Sequence, residues 1–163
     1  MVFFGHLGIG RAMVRPWSRR LPLSWILVGA LFPDLLDKSF HLILRIADGT
    51  RTLGHTAVLL VVLSSIAWIG KSKDFVALCL GIATHLVLDG LSELVLKGAD
   101  TEMLTIFLWP ALGWEFPVMH RSELSEYFLA FVNPFLIGSE ILGLALLIWE
   151  YRAHNTQSQL DNL

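Results

Sequence analysis

Between residues 54 and 96 the chain is mostly apolar, divided at Lys71, Ser72, Lys73 and Asp74, and its second run contains His85, Asp89 and Glu93. The two runs, 54–70 and 75–96, approach or reach the roughly 20 residues that a membrane-crossing helix needs. Such runs bury their backbone only as helices, so the chain is expected to be all-α. Composition agrees. Charged residues make up 16% of the 163, against about 25% in soluble domains, and 55% are hydrophobic. Disorder and coiled coil are excluded, and a net charge of -2 leaves no basic surplus for nucleic acid. One cysteine, Cys79, excludes a disulfide framework and a cysteine-ligated zinc cluster.

The remaining segments complete a polytopic membrane bundle of about four to five transmembrane or re-entrant helices, forming one domain over 1–163. Residues 2–14 and 21–32 read as a hairpin around a basic turn with Arg15, Arg19 and Arg20. Pro33 and Asp34 are expected to close the second arm, because an interior proline lacks the donor a helix needs. Residues 34–47 have apolar positions at helical spacing and read as an interfacial helix, with a turn at 48–50. Segment 103–119 is apolar but broken by Trp109-Pro110 and Phe116-Pro117, which suits a re-entrant or surface segment. Residues 128–149 are long enough to cross, and 150–163 read as a polar tail. The N-terminus lacks a basic region ahead of its apolar stretch, so no cleaved signal peptide is expected. Lys71, Lys73, Arg152 and the basic turn share one side, which points to a cytoplasmic face there.

At 1.5 Å per residue, His6, Asp34, His55, His85 and Asp89 fall roughly 14 to 24 Å from the basic ends of their segments. Five metal-type ligands from four segments thus share one depth inside the membrane. Ionisable groups there are expensive and by default functional. His85 and Asp89 are four apart on one helix face, as in other helical metal sites. Asp34 and Asp37, three apart, point the same way, and His41 extends their stripe. Mixed imidazole and carboxylate suits zinc, with manganese or iron as alternatives, better than magnesium or calcium. A single buried His-Asp pair more often only fixes packing; five such groups at one depth favour ligation. His120 and His154 lie in polar surroundings. Glu93 continues the His85 stripe, and Glu140, at the cluster's depth, is left as an outer carboxylate, a base or an arginine partner.

The motifs, in this order, resemble the YdjM family of bacterial inner-membrane proteins, LexA-binding and described as metal-dependent hydrolases. Gly5-His6 stands where that family opens its first helix with Gly-His. Pro33-Asp34-Leu35-Leu36-Asp37 matches its Pro-Asp-x-Asp element with one extra residue between the carboxylates. Thr52-Leu53-Gly54-His55-Thr56 ends its Gly-His-Arg-Gly-x-Thr-His-Ser element, and Thr50 replaces the first histidine. Gly81 to Asp89 carries Gly-x-x-x-His-x-x-x-Asp, and Leu108-Trp109-Pro110 closes the match, which runs from Gly5 to about Pro110. The resemblance implies a helical hydrolase of the inner membrane with a metal centre, analogous in its motifs to zinc-dependent phospholipase C.

The expected function is therefore metal-dependent hydrolysis of a lipid-borne or membrane-proximal ester or phosphoester. His6, Asp34, His55, His85 and Asp89 would hold one or two ions, Asp37 would serve as ligand or base, and Arg51 would bind an anionic phosphate beside the helix start at Gly54. Asp37, Arg51 and Asp89 are the candidate catalytic residues. Membrane lipid is the expected partner, and the oligomeric state is open. Two rival readings use the same cluster: a cation or proton transporter, and a non-catalytic membrane protein that keeps it for packing.

Overall fold

A computed structural model describes residues 3–17, 20–44, 51–98, 101–117 and 132–160 of the chain. The turn at 48–50, Thr50, Arg19, His120 and the start of the last apolar segment lie outside the described residues. The described residues are helical, without strands. A π-helical turn, Gly5–Ile9, leads into α1, Gly10–Val14; α2 spans Leu23–Lys38 and ends in a second π-helical turn, Ser39–Ile43. A 3-10 turn, Leu53–His55, precedes α3, Ala57–Gly70. Then follow α4, Lys73–Lys97, the short α5, Thr101–Phe107, and α6, Pro134–Leu160.

The pairing of α2 with α4 organises the molecule, and glycine makes it possible. A Cβ on Gly29 would meet the Leu78 carbonyl, and one on Gly81 would meet the Ile26 carbonyl and the Ala30 nitrogen. Only the missing side chains let these backbones touch. Val14, Ile26 and Ala77 pack at one end of the crossing, and Leu78, Ile82 and Leu86 pack next to them against Phe32 and Leu60. Gly8 and Gly143 bring the first π-helical turn against α6 by the same device.

Several boundaries differ from those read in the sequence. Pro33 does not end the second helix: α2 continues through it to Lys38 and leads into the π-helical turn Ser39–Ile43, so the described residues after Pro33 do not begin a separate α-helix at Asp34. Pro33 is buried, and packing against α4 outweighs its one missing donor. The first convincing apolar segment becomes helical only at Ala57, because the Thr56 hydroxyl accepts from Leu59 N at 3.2 Å and caps α3 there. Gly54 therefore does not open a helix. Of segment 103–119, the described residues, to 117, are helical only through Phe107. The tail is not separate from the last apolar segment, since α6 runs on to Leu160.

Among the described residues two helices, Lys73–Leu96 and Pro134–Ala153, are long and apolar enough to cross a membrane. At 14 residues, α3 is about 21 Å long, shorter than the roughly 30 Å hydrocarbon layer. Its outer face is nonetheless apolar: Val61, Trp68 and Ile69 are all largely exposed, as are Ile141 and Trp149 of α6. Apolar faces this broad mark contact with lipid or another protein.

Candidate metal centre

The cluster lies where the C-terminal half of α4 passes the end of α2, the first π-helical turn and the loop at residues 51–56. His85 and Asp89 sit one turn apart on α4, so their side chains leave the same face. Asp34 and Asp37 come from α2 because that helix does not stop at Pro33. His55 enters from the 3-10 turn and His6 from the π-helical turn. His6, Asp37, His55, His85 and Asp89 are all buried, while Asp34 is a quarter exposed.

The His85 and His55 imidazoles are each oriented by the outer nitrogen. His85 Nδ1 lies 2.7 Å from the Ala30 carbonyl oxygen. A carbonyl only accepts, so Nδ1 carries the hydrogen and the neutral ring turns a bare Nε2 inward. His55 Nδ1 lies 2.7 Å from Asp37 Oδ2, which gives it the same tautomer. The two inward Nε2 atoms are 3.3 Å apart. Asp34 Oδ1 stands 3.7 Å from His55 Nε2 and 3.9 Å from His85 Nε2, and Asp89 Oδ2 stands 3.6 and 3.9 Å from the same pair.

Four lone-pair atoms thus face one another. Neutral histidines supply no hydrogen between them, so the two Nε2 atoms repel each other until a cation or a proton enters. Their spacing suits a shared metal, since ligands about 2.0 Å from a tetrahedral ion lie about 3.3 Å from each other, and the carboxylate oxygens lie a few tenths of an ångström farther out. Two trios have ligand atoms within 4.8 Å of one another, Asp34-His55-His85 and His6-His85-Asp89. Both use His85, whose Nδ1 is committed to Ala30, so either trio would reach an ion through the same Nε2. His6 stacks on His85 with ring centroids 4.0 Å apart and places Nε2 3.2 Å from Asp89 Oδ1. Its buried Nδ1 has no hydrogen-bond partner, a deficit that a ligand or water would relieve.

Asp37 sits behind His55 and not among the converging atoms. Its oxygens accept from Thr52 N at 2.6 Å, Thr52 Oγ1 at 2.8 Å, Gly54 N at 2.7 Å and His55 Nδ1. With its lone pairs used this way, its role is to fix the His55 ring, as carboxylates behind metal-bound histidines do. Arg51 bridges two acids, with Nη2 2.7 Å from Asp89 Oδ2 and Nη1 3.3 Å from Glu93 Oε2. Burial works against its charge, but these two carboxylates hold its pKa above the usual arginine value. Burial likewise pushes His55 down, and the hydrogen bonds to Asp37 and Asp89 overcome it, raising the ring above 6.5. A metal ion bound at His55 Nε2 would therefore have to displace a proton.

Lys38 Nζ lies 2.8 Å from Asp34 Oδ2 and leaves Oδ1 to face the cluster. His41 lies on the second π-helical turn and joins neither trio. Glu140 acts elsewhere: its carboxylate accepts from the backbone N–H groups of Phe3, Phe4 and Gly5 at 3.0, 2.7 and 3.1 Å. It caps from α6 the helical turn that delivers His6. The Ala30 carbonyl carries no sequence signal, whereas the Thr-x-Gly-His spacing at residues 52–55 marks the loop that wraps Asp37. Comparison with protein-family models, curated proteins and solved structures returned no match.

Proposed function

We propose that the chain is a metal-dependent hydrolase of a membrane, acting on an ester or phosphoester of a lipid-borne substrate. The observation that carries this reading is the pair of Nε2 atoms 3.3 Å apart, each ring fixed from behind, with two carboxylate oxygens closing the set. The motif resemblance to the YdjM family supports it. Zinc suits the two imidazoles and two carboxylates best, ahead of manganese and iron. When bound, such an ion supplies Lewis acidity and a water acidified toward neutrality.

The chain's own residues do the rest. His55, His85, Asp34 and Asp89 hold the ion, Asp37 and the Ala30 carbonyl keep the rings turned, and His6 steadies Asp89. Arg51 ties Asp89 to Glu93 and so holds the Asp89 carboxylate in place beside the cluster. Hydrolysis adds water across the ester bond; the hydroxyl goes to carbon or phosphorus and the proton leaves with the alcohol. The two long apolar helices and the outward apolar faces support a multi-pass protein of the bacterial inner membrane, with α2 and α3 completing the bundle.

The test is a phospholipid-hydrolysis assay on detergent-purified protein. Product release that a chelator abolishes, zinc restores and His85→Ala removes is the expected result. Turnover indifferent to both chelator and His85→Ala would overturn the reading, and cation flux into proteoliposomes without hydrolysis would replace it with transport.

A further inference from the structure

Two cations flank the cluster, and they are held in different ways. The Arg51 side chain is 14% exposed and reaches two carboxylates, with Nη2 2.7 Å from Asp89 and Nη1 3.3 Å from Glu93. Its planar fork bridges both, so a fixed group closes that side. The Lys38 side chain is 47% exposed and meets a single carboxylate oxygen, Asp34 Oδ2 at 2.8 Å, one turn back along α2. An ion pair so exposed is weak, and an ammonium on a flexible stem leaves it easily.

The ligands divide in the same way. The Asp34 side chain is 25% exposed, whereas those of His55, His85 and Asp89 are exposed by 3% or less. Lys38 is the last residue of α2. A lysine at a helix end carries its charge out to water or headgroups, so the Asp34 oxygen bonded to it also lies at the wet end of the helix. Asp34 Oδ1 meanwhile faces Nε2 of His55 and of His85. One carboxylate thus reaches from the outside to the buried nitrogens.

The charge of the set says what would pass. With neutral imidazoles, the carboxylates of Asp34, Asp37, Asp89 and Glu93 exceed the cations Lys38 and Arg51 by two charges. One divalent cation balances them, and Asp34 is the ligand it meets first from outside.

We propose that Asp34 and Lys38 form the entry port of the cluster: a divalent cation enters and leaves past Asp34, displacing the Lys38 ammonium, while Arg51 keeps the opposite side shut. The port rests on the metal reading of the cluster but not on hydrolysis. While the pair is made, the ammonium stands in the ion's path and repels it, so Lys38 limits the rate of loading.

Stopped-flow uptake and release of zinc by the full chain in phosphatidylcholine nanodiscs tests this. Lys38→Met removes the ammonium from an exposed position and keeps the length of the side chain. At low salt it should speed zinc association about five- to tenfold, the effect of a unit charge on a divalent ion about 6 to 8 Å away in water, and release should not slow. The gain should shrink toward none in about 1 M salt, where screening acts over about 3 Å. Lys73→Met takes the same charge from the far end of α4, about 24 Å along the helix from Asp89, and should change association less than about twofold, being well beyond the screening distance. Faster association in Lys38→Met alone supports the port. Equal rates in wild type and Lys38→Met, equal acceleration by Lys73→Met, or slower release with unchanged association overturns the port and leaves the metal reading standing. No zinc uptake by any of the three proteins removes the metal reading, and the port with it.

Discussion

The two halves of α4 meet α2 in different ways. Toward its start, Ala77, Leu78, Gly81 and Ile82 press against α2 with side chains that offer only volume. Toward its end, His85, Asp89 and Glu93 face α2 and the loop at 51–56 with side chains that offer charge and lone pairs. The first half is attractive by itself, through close packing. The second depends on charge: Arg51 pairs with Asp89 and Glu93 and Lys38 with Asp34, while the facing Nε2 atoms of His55 and His85 repel until a proton or metal ion joins them. Burial of the polar half is therefore offset by the apolar crossing beside it, and the two halves should fail differently. Volume should break the first, and charge or tautomer should break the second.

The largest effect is expected from Gly81→Val. Its side chain has to enter the backbone of α2, and overpacking of this kind should cost more than about 3 kcal/mol. Thermal unfolding in detergent should show the loss, with metal binding lost alongside it. Asp37→Asn is the matched change in the polar half: similar volume, but the carboxylate behind His55 is gone. Zinc affinity by competitive chelation should fall about 10- to 100-fold, and the metal-free protein should lose about 1–3 kcal/mol, less than Gly81→Val, because the new amide sets a donor against buried N–H groups. Equal melting losses in the two variants would break the distinction between the halves.

Acidity sharpens it further. His55 has its folded pKa raised above 6.5, so in metal-free protein its stabilisation is complete below pH 6.5 and disappears as pH rises through the raised value. Metal binding runs the opposite way, because the ion displaces that proton: affinity should weaken as pH falls through the same raised value. Titrations of melting point and of zinc affinity should show slopes of opposite sign, and Asp37→Asn should move both inflections to lower pH. The smallest effect is expected from Lys38→Ala. Its pair with Asp34 is half-exposed on the lysine side, so stability should change by less than about 1 kcal/mol.

Much of the polar half was legible in the sequence because ionisable groups inside apolar runs are rare enough to be counted. His6, Asp34, His55, His85 and Asp89 stand out for that reason, and helical rise alone puts them at one depth. Their second partners were not legible. A backbone carbonyl such as that of Ala30 gives no signal until α2 is placed against α4, and the division between Asp34, which faces the cluster, and Asp37, which holds His55 from behind, follows from the fold of the loop at 51–56. Pro33 misled for a related reason. Local propensity ends a helix there, while the Gly29 and Gly81 contact, invisible without the pairing, carries α2 onward and brings both aspartates into place. Glu140 could be flagged by depth, but its role in holding Phe3, Phe4 and Gly5 depends on the meeting of the chain's two ends.

The central claim is that the inward atoms of His55, His85, Asp34 and Asp89 bind one divalent ion. Elemental analysis of detergent-purified protein, after dialysis against a weak chelator, measures it directly in wild type and in His85→Ala/Asp89→Asn. One zinc, manganese or iron per wild-type chain and roughly a tenth or less in the folded double variant is the expected result. No metal in the wild type, or equal metal in the two proteins, would contradict it.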